Sequence, residues 1–255
     1  MNGNGSWTSE DNAAREALTR GAWILGGLML VGSTLAWITT LPPGSVAISV
    51  GAFGLSLALI LALMSGHHPW ARFGAANTVT LVRAALVAVL LGFVGAGAQA
   101  ELAWYAVGIA TLAGSLDALD GFLARRLGTA SAFGARFDLE VDAALVMVLS
   151  VLVWQSDQAG PWVLLAGLMR YLFALAGVVW PWLRAPLPPS VRRQGVCVVQ
   201  VVALTVCLAP IVAVPWGSAL AALALATLAS SFLIDVQWLA RASGRALGGK
   251  HCVSH

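Results

Sequence analysis

Apolar residues run in long blocks along this chain, and short polar stretches separate them. A helix needs about 20 mostly apolar residues to cross a bilayer. The pattern predicts eight spans, at roughly 22–41, 45–64, 76–97, 102–124, 137–155, 160–182, 194–213 and 217–240. Residues 1–21 are polar and carry Glu10, Asp11, Arg15, Glu16 and Arg20. They lack the charged, apolar, small-residue order of a cleaved signal peptide, so a polar tail and a short surface helix are expected there. Residues 246–255 read as a C-terminal tail. The predicted fold class is an all-α integral membrane protein.

Composition sharpens this reading. Of 255 residues, 59% are apolar and 10% are charged, against about 25% charged in a soluble domain. So few charges cannot cover a water-facing surface, which excludes a soluble enzyme, a disordered chain and a disulfide scaffold. Cys197, Cys207 and Cys252 match no zinc spacing.

Charge gives the orientation. Basic residues cluster in alternate connections: Arg72 with His67 and His68; Arg125, Arg126 and Arg136; Arg184, Arg192 and Arg193; and Arg241, Arg245 and Lys250 at the end. The intervening connections, 42–44, 98–101, 156–159 and 214–216, have no Lys or Arg. Positive charge marks the cytoplasmic side, so both termini and all four basic regions are expected inside. An even number of spans requires the same. The net charge of +3 reports topology, and no nucleic-acid partner is expected. Tryptophans near the span ends fit headgroup anchoring.

The chemistry lies in the acids. Asp117, Asp120, Asp138, Glu140 and Asp142 fall within one stretch, from the end of the fourth span to the start of the fifth. Carboxylates at membrane depth are costly and mark functional sites. Asp117 and Asp120 are three residues apart, and Asp138 and Asp142 four, so each pair shares a helix face. A short loop makes the two helices antiparallel neighbours, and the four carboxylates converge near the cytoplasmic mouth. They would repel one another unless protonated or bridged by cations. Hard oxygen ligands suit Mg²⁺ or Mn²⁺, and two such ions form the usual clamp for phosphoryl transfer. A plainer reading pairs the acids with Arg125, Arg126 and Arg136. An ion pathway is a third use, although a pathway would spread polar groups over several depths. Glu140 points away from the motif acids and has no assigned role.

The run Asp117-x2-Asp120-Gly121-x2-Ala124-Arg125-x8-Gly134-x3-Asp138-x3-Asp142 resembles the signature of the CDP-alcohol phosphotransferases. Asn77-x2-Thr80-x2-Arg83 is similar to the family's first core helix. The resemblance covers roughly residues 70–240. It implies a six-helix core over 65–245, preceded by an accessory transmembrane hairpin at 22–64. It also implies metal-dependent transfer of a substituted phosphoryl group from a CDP-linked donor to an alcohol, with release of CMP. By the resemblance, Asp117, Asp120, Asp138 and Asp142 hold two divalent cations, Mg²⁺ or Mn²⁺, and Asp142 is the general base. Asn77, Thr80, Gly121, Ala124, Arg125 and Gly134 hold the CDP-linked donor. The chain's size favours CDP-diacylglycerol and a role in phospholipid synthesis. Family members are often homodimers.

The acceptor is read from the remaining charges. Arg136, Arg170 and Arg193 are candidates for a basic pocket that suits a phosphorylated polyol such as glycerol 3-phosphate or inositol phosphate. Gln200 lies one or two turns beyond Arg193. The alternatives are a non-phosphorylated or lipid acceptor (inositol, serine or phosphatidylglycerol) and, outside enzymes, a polytopic transporter or scaffold. An arginine inside an apolar run, such as Arg170, calls for a partner.

Overall fold

The computed structural model describes residues 9–39, 41–64, 74–97, 99–127, 132–188 and 190–248, and the side chains within 14–39, 41–62, 74–97, 99–117, 134–188 and 190–243. Eight α-helices account for the described chain: α1 (Ser9–Ile38), α2 (Ser45–Met64), α3 (Ala75–Leu91), α4 (Ala100–Leu127), α5 (Ala132–Gln155), α6 (Leu164–Val179), α7 (Val191–Leu208) and α8 (Val214–Gly248). Short 3₁₀ turns at Pro161–Val163 and Pro181–Arg184 flank α6. Each predicted span coincides with one helix. The polar start is continuous with the first span: α1 begins at Ser9 without a break.

Among the described residues, five helices are long and apolar enough to cross a membrane: α1, α2, α6 with its leading turn, α7 and α8. α3 is apolar but only 17 residues long. α4 and α5 carry the acids of the motif, which lowers their apolarity. The chain is a multi-pass membrane protein whose three least lipid-like helices stand together. α5 packs against α3, α6 and α7, and α3 is enclosed by α1, α2, α4 and α5. α3 is accordingly buried over much of its surface. Large apolar residues such as Trp23, Leu55, Leu175 and Leu223 lie exposed on the outer helices, where lipid replaces water as their solvent.

Lipid gives helices little hydrophobic reason to associate, so close packing through small residues has to do it. Ala110, Ala113 and Ala221 are fully buried. A Cβ at Gly167 of α6 would come within 2.5 Å of the Met147 Cα on α5, so any side chain there would push the two helices apart. At the end of the bundle away from the acids, neutral amides tie the loops. The Gln155 side chain donates to the Phe93 carbonyl at 3.2 Å, and Gln158 donates to the Val212 carbonyl at 3.1 Å.

Candidate active site

Asp117 in the second half of α4 and Asp138 and Asp142 in the first half of α5 stand beside Arg83 in the middle of α3, and this brings three of the motif acids together. Asp117, Asp138 and Asp142 each offer a carboxylate oxygen, and these oxygens lie within 4.8 Å of one another. The three side chains are 32%, 36% and 17% exposed. The site therefore opens to its surroundings at Asp117 and Asp138 and closes around Asp142.

A cation sits among them. Arg83 of α3 is 1% exposed. Its guanidinium pairs with Asp117 at 3.0 Å and with Asp138 and Asp142. Its Nε donates to the Ala113 carbonyl at 3.2 Å. Among the described residues, three carboxylates share this one guanidinium. Their all-oxygen donor set fits a hard divalent cation. Asp117, Asp138 and Asp142 are the residues that would hold it.

The plainer reading of the acids assigned their neutralisation to Arg125, Arg126 and Arg136. Among the described residues, the arginine that pairs with the acids is Arg83, from a helix distant in sequence. Arg136 is exposed on α5. The side chains of Asp120, Gly121, Ala124, Arg125 and Arg126 lie outside the described residues, although the α4 backbone runs through them. His67, His68 and Arg72 lie outside the described residues altogether. Gly134 is in the first turn of α5. Asn77 and Thr80 occupy the first two turns of α3, with the Thr80 hydroxyl donating to the Ala76 carbonyl at 3.1 Å.

A cavity of about 330 Å³ leads away from the acids between α4 and α7. Arg83, Asp117 and Asp142 line its inner end, and Gly114, Val198, Val201 and Val202 are among its walls. Thr111, Ser115 and Thr205 also line it, but each hydroxyl donates to a carbonyl of its own helix, four residues back. That bond satisfies the donor and leaves a largely apolar wall. Cys197 stands where the cavity meets the acids, its Sγ 3.7 Å from the Asp142 Oδ2.

The three arginines read as an acceptor pocket are dispersed. Arg170 pairs with Glu140 across α5 and α6. Glu140 is two residues from both Asp138 and Asp142, about 200° round the helix, so this pair lies on the face of α5 turned away from the triad. Arg193 donates to the Pro188 carbonyl and stands 3.9 Å from Asp235 of α8. It is one helical turn from Cys197 and on the same face, which puts it on the triad side of α7. Arg192 turns to α8, where it pairs with Asp235 and donates to the carbonyl and hydroxyl of Ser231. Gln200 is 1% exposed, and neither of its amide atoms has a hydrogen-bond partner among the described residues.

Sequence reasoning gave no role to Arg83, quoted only as part of a motif, and passed over Asp235. The rule that asked for a partner to Arg170 finds both. A charge within an apolar span needs a counter-charge, and each of these two has more than one. Nothing in the sequence marked Cys197 as a neighbour of Asp142.

The sequence model described as CDP-alcohol phosphatidyltransferase matches residues 73–232. A chloroplastic CDP-diacylglycerol–glycerol-3-phosphate 3-phosphatidyltransferase of rice (Oryza sativa subsp. japonica) is 34% identical over 79 residues. Those residues are 30% of this chain and 24% of the rice protein, so the match spans about a quarter of that relative. No solved structure matches the chain.

Proposed function

The chain belongs to the CDP-alcohol phosphatidyltransferase family, and from that premise we propose that it makes a phospholipid. It transfers the phosphatidyl group of CDP-diacylglycerol to an alcohol and releases CMP, at a site facing the cytoplasm. The observation that carries this reading is the junction of two unlike surfaces. The cavity between α4 and α7 is apolar along its walls and ends on Asp117, Asp142 and Arg83. A donor with acyl chains and a charged pyrophosphate needs both.

The residues divide the work. Asp117, Asp138 and Asp142, with Asp120, would hold the two Mg²⁺ or Mn²⁺ ions. When bound, these would neutralise the pyrophosphate and stabilise the charge that develops on it. Asn77, Thr80, Gly121, Ala124, Arg125 and Gly134 hold the CDP portion. Asp142, the most enclosed of the triad, takes the proton from the acceptor hydroxyl. The acceptor oxygen then bonds to the β-phosphorus of the donor, and the bond from that phosphorus to CMP breaks. Arg83 bridges the three carboxylates and holds them together from α3. The site works as a homodimer's subunit.

The rice relative acts, by its name, on glycerol 3-phosphate, and this supports a phosphorylated acceptor here. Arg193, on the triad side of α7, is the arginine best situated for its phosphate, and Arg136 would add charge from α5; Arg170, paired with Glu140 on the far face of α5, is the least well placed of the three. One observation favours an uncharged alcohol instead: Arg170 and Arg193 already have acidic partners, with which an acceptor phosphate must compete.

The test is CMP release by the purified protein with CDP-diacylglycerol and Mn²⁺, against glycerol 3-phosphate, inositol phosphate, inositol, serine and phosphatidylglycerol, with products identified by mass. One productive acceptor is expected. Excess EDTA should abolish the reaction, and Mg²⁺ or Mn²⁺ should restore it. Full turnover in EDTA would overturn the metal assignment.

A further inference from the structure

The hairpin α1–α2 lies outside the region that matches the family, 73–232, yet it is fastened to α3 at both ends. At the far end, Gly92 meets α2 so closely that a Cβ would fall 2.4 Å from the Ser49 hydroxyl and 2.9 Å from the Ser45 carbonyl. At the near end, Arg20 of α1 crosses to the start of α3. Its guanidinium donates to the Gly74 carbonyl at 3.1 Å and to the Thr78 hydroxyl, and pairs with Glu16 one turn back. The Gly74 carbonyl also accepts from the Thr78 amide at 3.3 Å and the Thr78 hydroxyl at 2.8 Å.

This placement opposes simple electrostatics. The N-terminal end of a helix carries partial positive charge, and a cation there is disfavoured. Glu16 offsets the cost, and the hydrogen bonds explain why the cation is there: it grips one carbonyl and one hydroxyl in the first turn of α3. The gripped face is turned away from the site. Thr78 and Gly92 lie about 140° and 180° round α3 from Arg83, while Thr80 lies within about 60° of it. The hairpin thus holds the back of the helix whose front presents Arg83 to the acids.

We propose that Arg20 is a positioning residue of the active site: by clamping Gly74 and Thr78, it sets the depth and rotation at which α3 presents Arg83 to Asp117, Asp138 and Asp142. The accessory hairpin is then part of the catalytic apparatus without touching substrate. The inference rests on the reaction proposed above.

The test compares full-length wild type, Arg20→Ala, Arg20→Lys, Thr78→Val and the Arg20→Ala/Thr78→Val double variant. CMP release is measured over a range of CDP-diacylglycerol concentrations at saturating Mn²⁺, alongside thermal unfolding in detergent. Arg20→Ala should lower kcat/KM for the donor about tenfold. Arg20→Lys, which keeps a donor cation, should recover most of it. The double variant should be no worse than Arg20→Ala, because both remove one clamp. An Arg20→Ala protein that melts earlier but keeps kcat and KM would make the clamp merely structural and overturn the proposal. A wild type that releases no CMP with any acceptor would instead sink the reaction. CDP-diacylglycerol binding by the same variants would then decide: weaker binding in Arg20→Ala sustains the clamp, and equal binding refutes it. Thr78→Val, a near-isosteric change, keeps the test open if Arg20→Ala fails to fold.

Discussion

Two charged clusters in this bundle are near mirror images. In one, among the described residues, the cation Arg83 stands among the three anions Asp117, Asp138 and Asp142. In the other, the single anion Asp235 stands between the two cations Arg192 and Arg193. Both central residues are buried, Arg83 at 1% and Asp235 at 9% exposed. Stoichiometry separates them. Among the described residues, the first cluster sets three carboxylates on one guanidinium, and under the proposed reading it takes cations. The second sets two guanidinium groups on one carboxylate, and under the same reading it meets an anion or the anionic lipid surface. The Arg170–Glu140 pair, at 31% and 49% exposed, has no excess and serves as the neutral reference.

Substitutions can break this contrast at graded strength. The largest effect is expected at Asp142. Asp142→Asn keeps the shape and removes the base, so CMP release should fall by roughly 10²–10⁴-fold, with CDP-diacylglycerol binding largely kept. Undiminished turnover would remove the base assignment. Next comes Arg83→Ala, which leaves three carboxylates facing one another. Breaking a buried ionic cluster by deleting one partner costs about 3–5 kcal/mol, read as a lower unfolding midpoint in detergent. Mg²⁺ should recover part of that loss in Arg83→Ala, because the ion takes over the neutralisation. A midpoint unaffected by Mg²⁺ would argue against a cation site.

The positive cluster should answer more softly. Arg193→Ala should raise the KM for a phosphorylated acceptor about tenfold, or about 1.4 kcal/mol, and leave the donor KM alone. An unchanged acceptor KM would favour the uncharged alcohol. Glu140→Gln should do least. Partly exposed pairs contribute about 0–1 kcal/mol, so its midpoint and kinetics should stay close to wild type. A large kinetic effect there would mean that Arg170 reaches the acceptor after all.

Much of the fold was legible because lipid imposes strict rules. Blocks of about 20 apolar residues must be helices, since no water is present to satisfy an open backbone. Every predicted span is a helix on that ground. Helix ends were less legible: α3 stops at Leu91, before a run containing Gly92, Gly95 and Gly97, where the apolar pattern alone continued to 97. The site was legible in its local half. Asp138 and Asp142 share a face by spacing alone, and a short loop implied that Asp117 lies opposite. The counter-ions were not legible, because they come from helices far away in sequence. Arg83 is 34 positions before Asp117, and Asp235 is 42 positions after Arg193.

By itself the sequence determined that the chain crosses a membrane as helices and that its acids stand on two consecutive helices at one end; among the described residues those two helices are joined through α3 and α7 and do not pack on each other as the short loop suggested. Hydrophobic run length and helical periodicity are local properties, and they suffice for that. Only the tertiary structure decided which cation meets which anion. It turned Arg83 into the acids, tied Arg170 to Glu140 and set Arg192 and Arg193 against Asp235. It also placed the hairpin's Arg20 on the back of α3. A buried charge takes its partner from whichever helix packs beside it, and in a bundle that neighbour is chosen by side-chain fit across the whole chain.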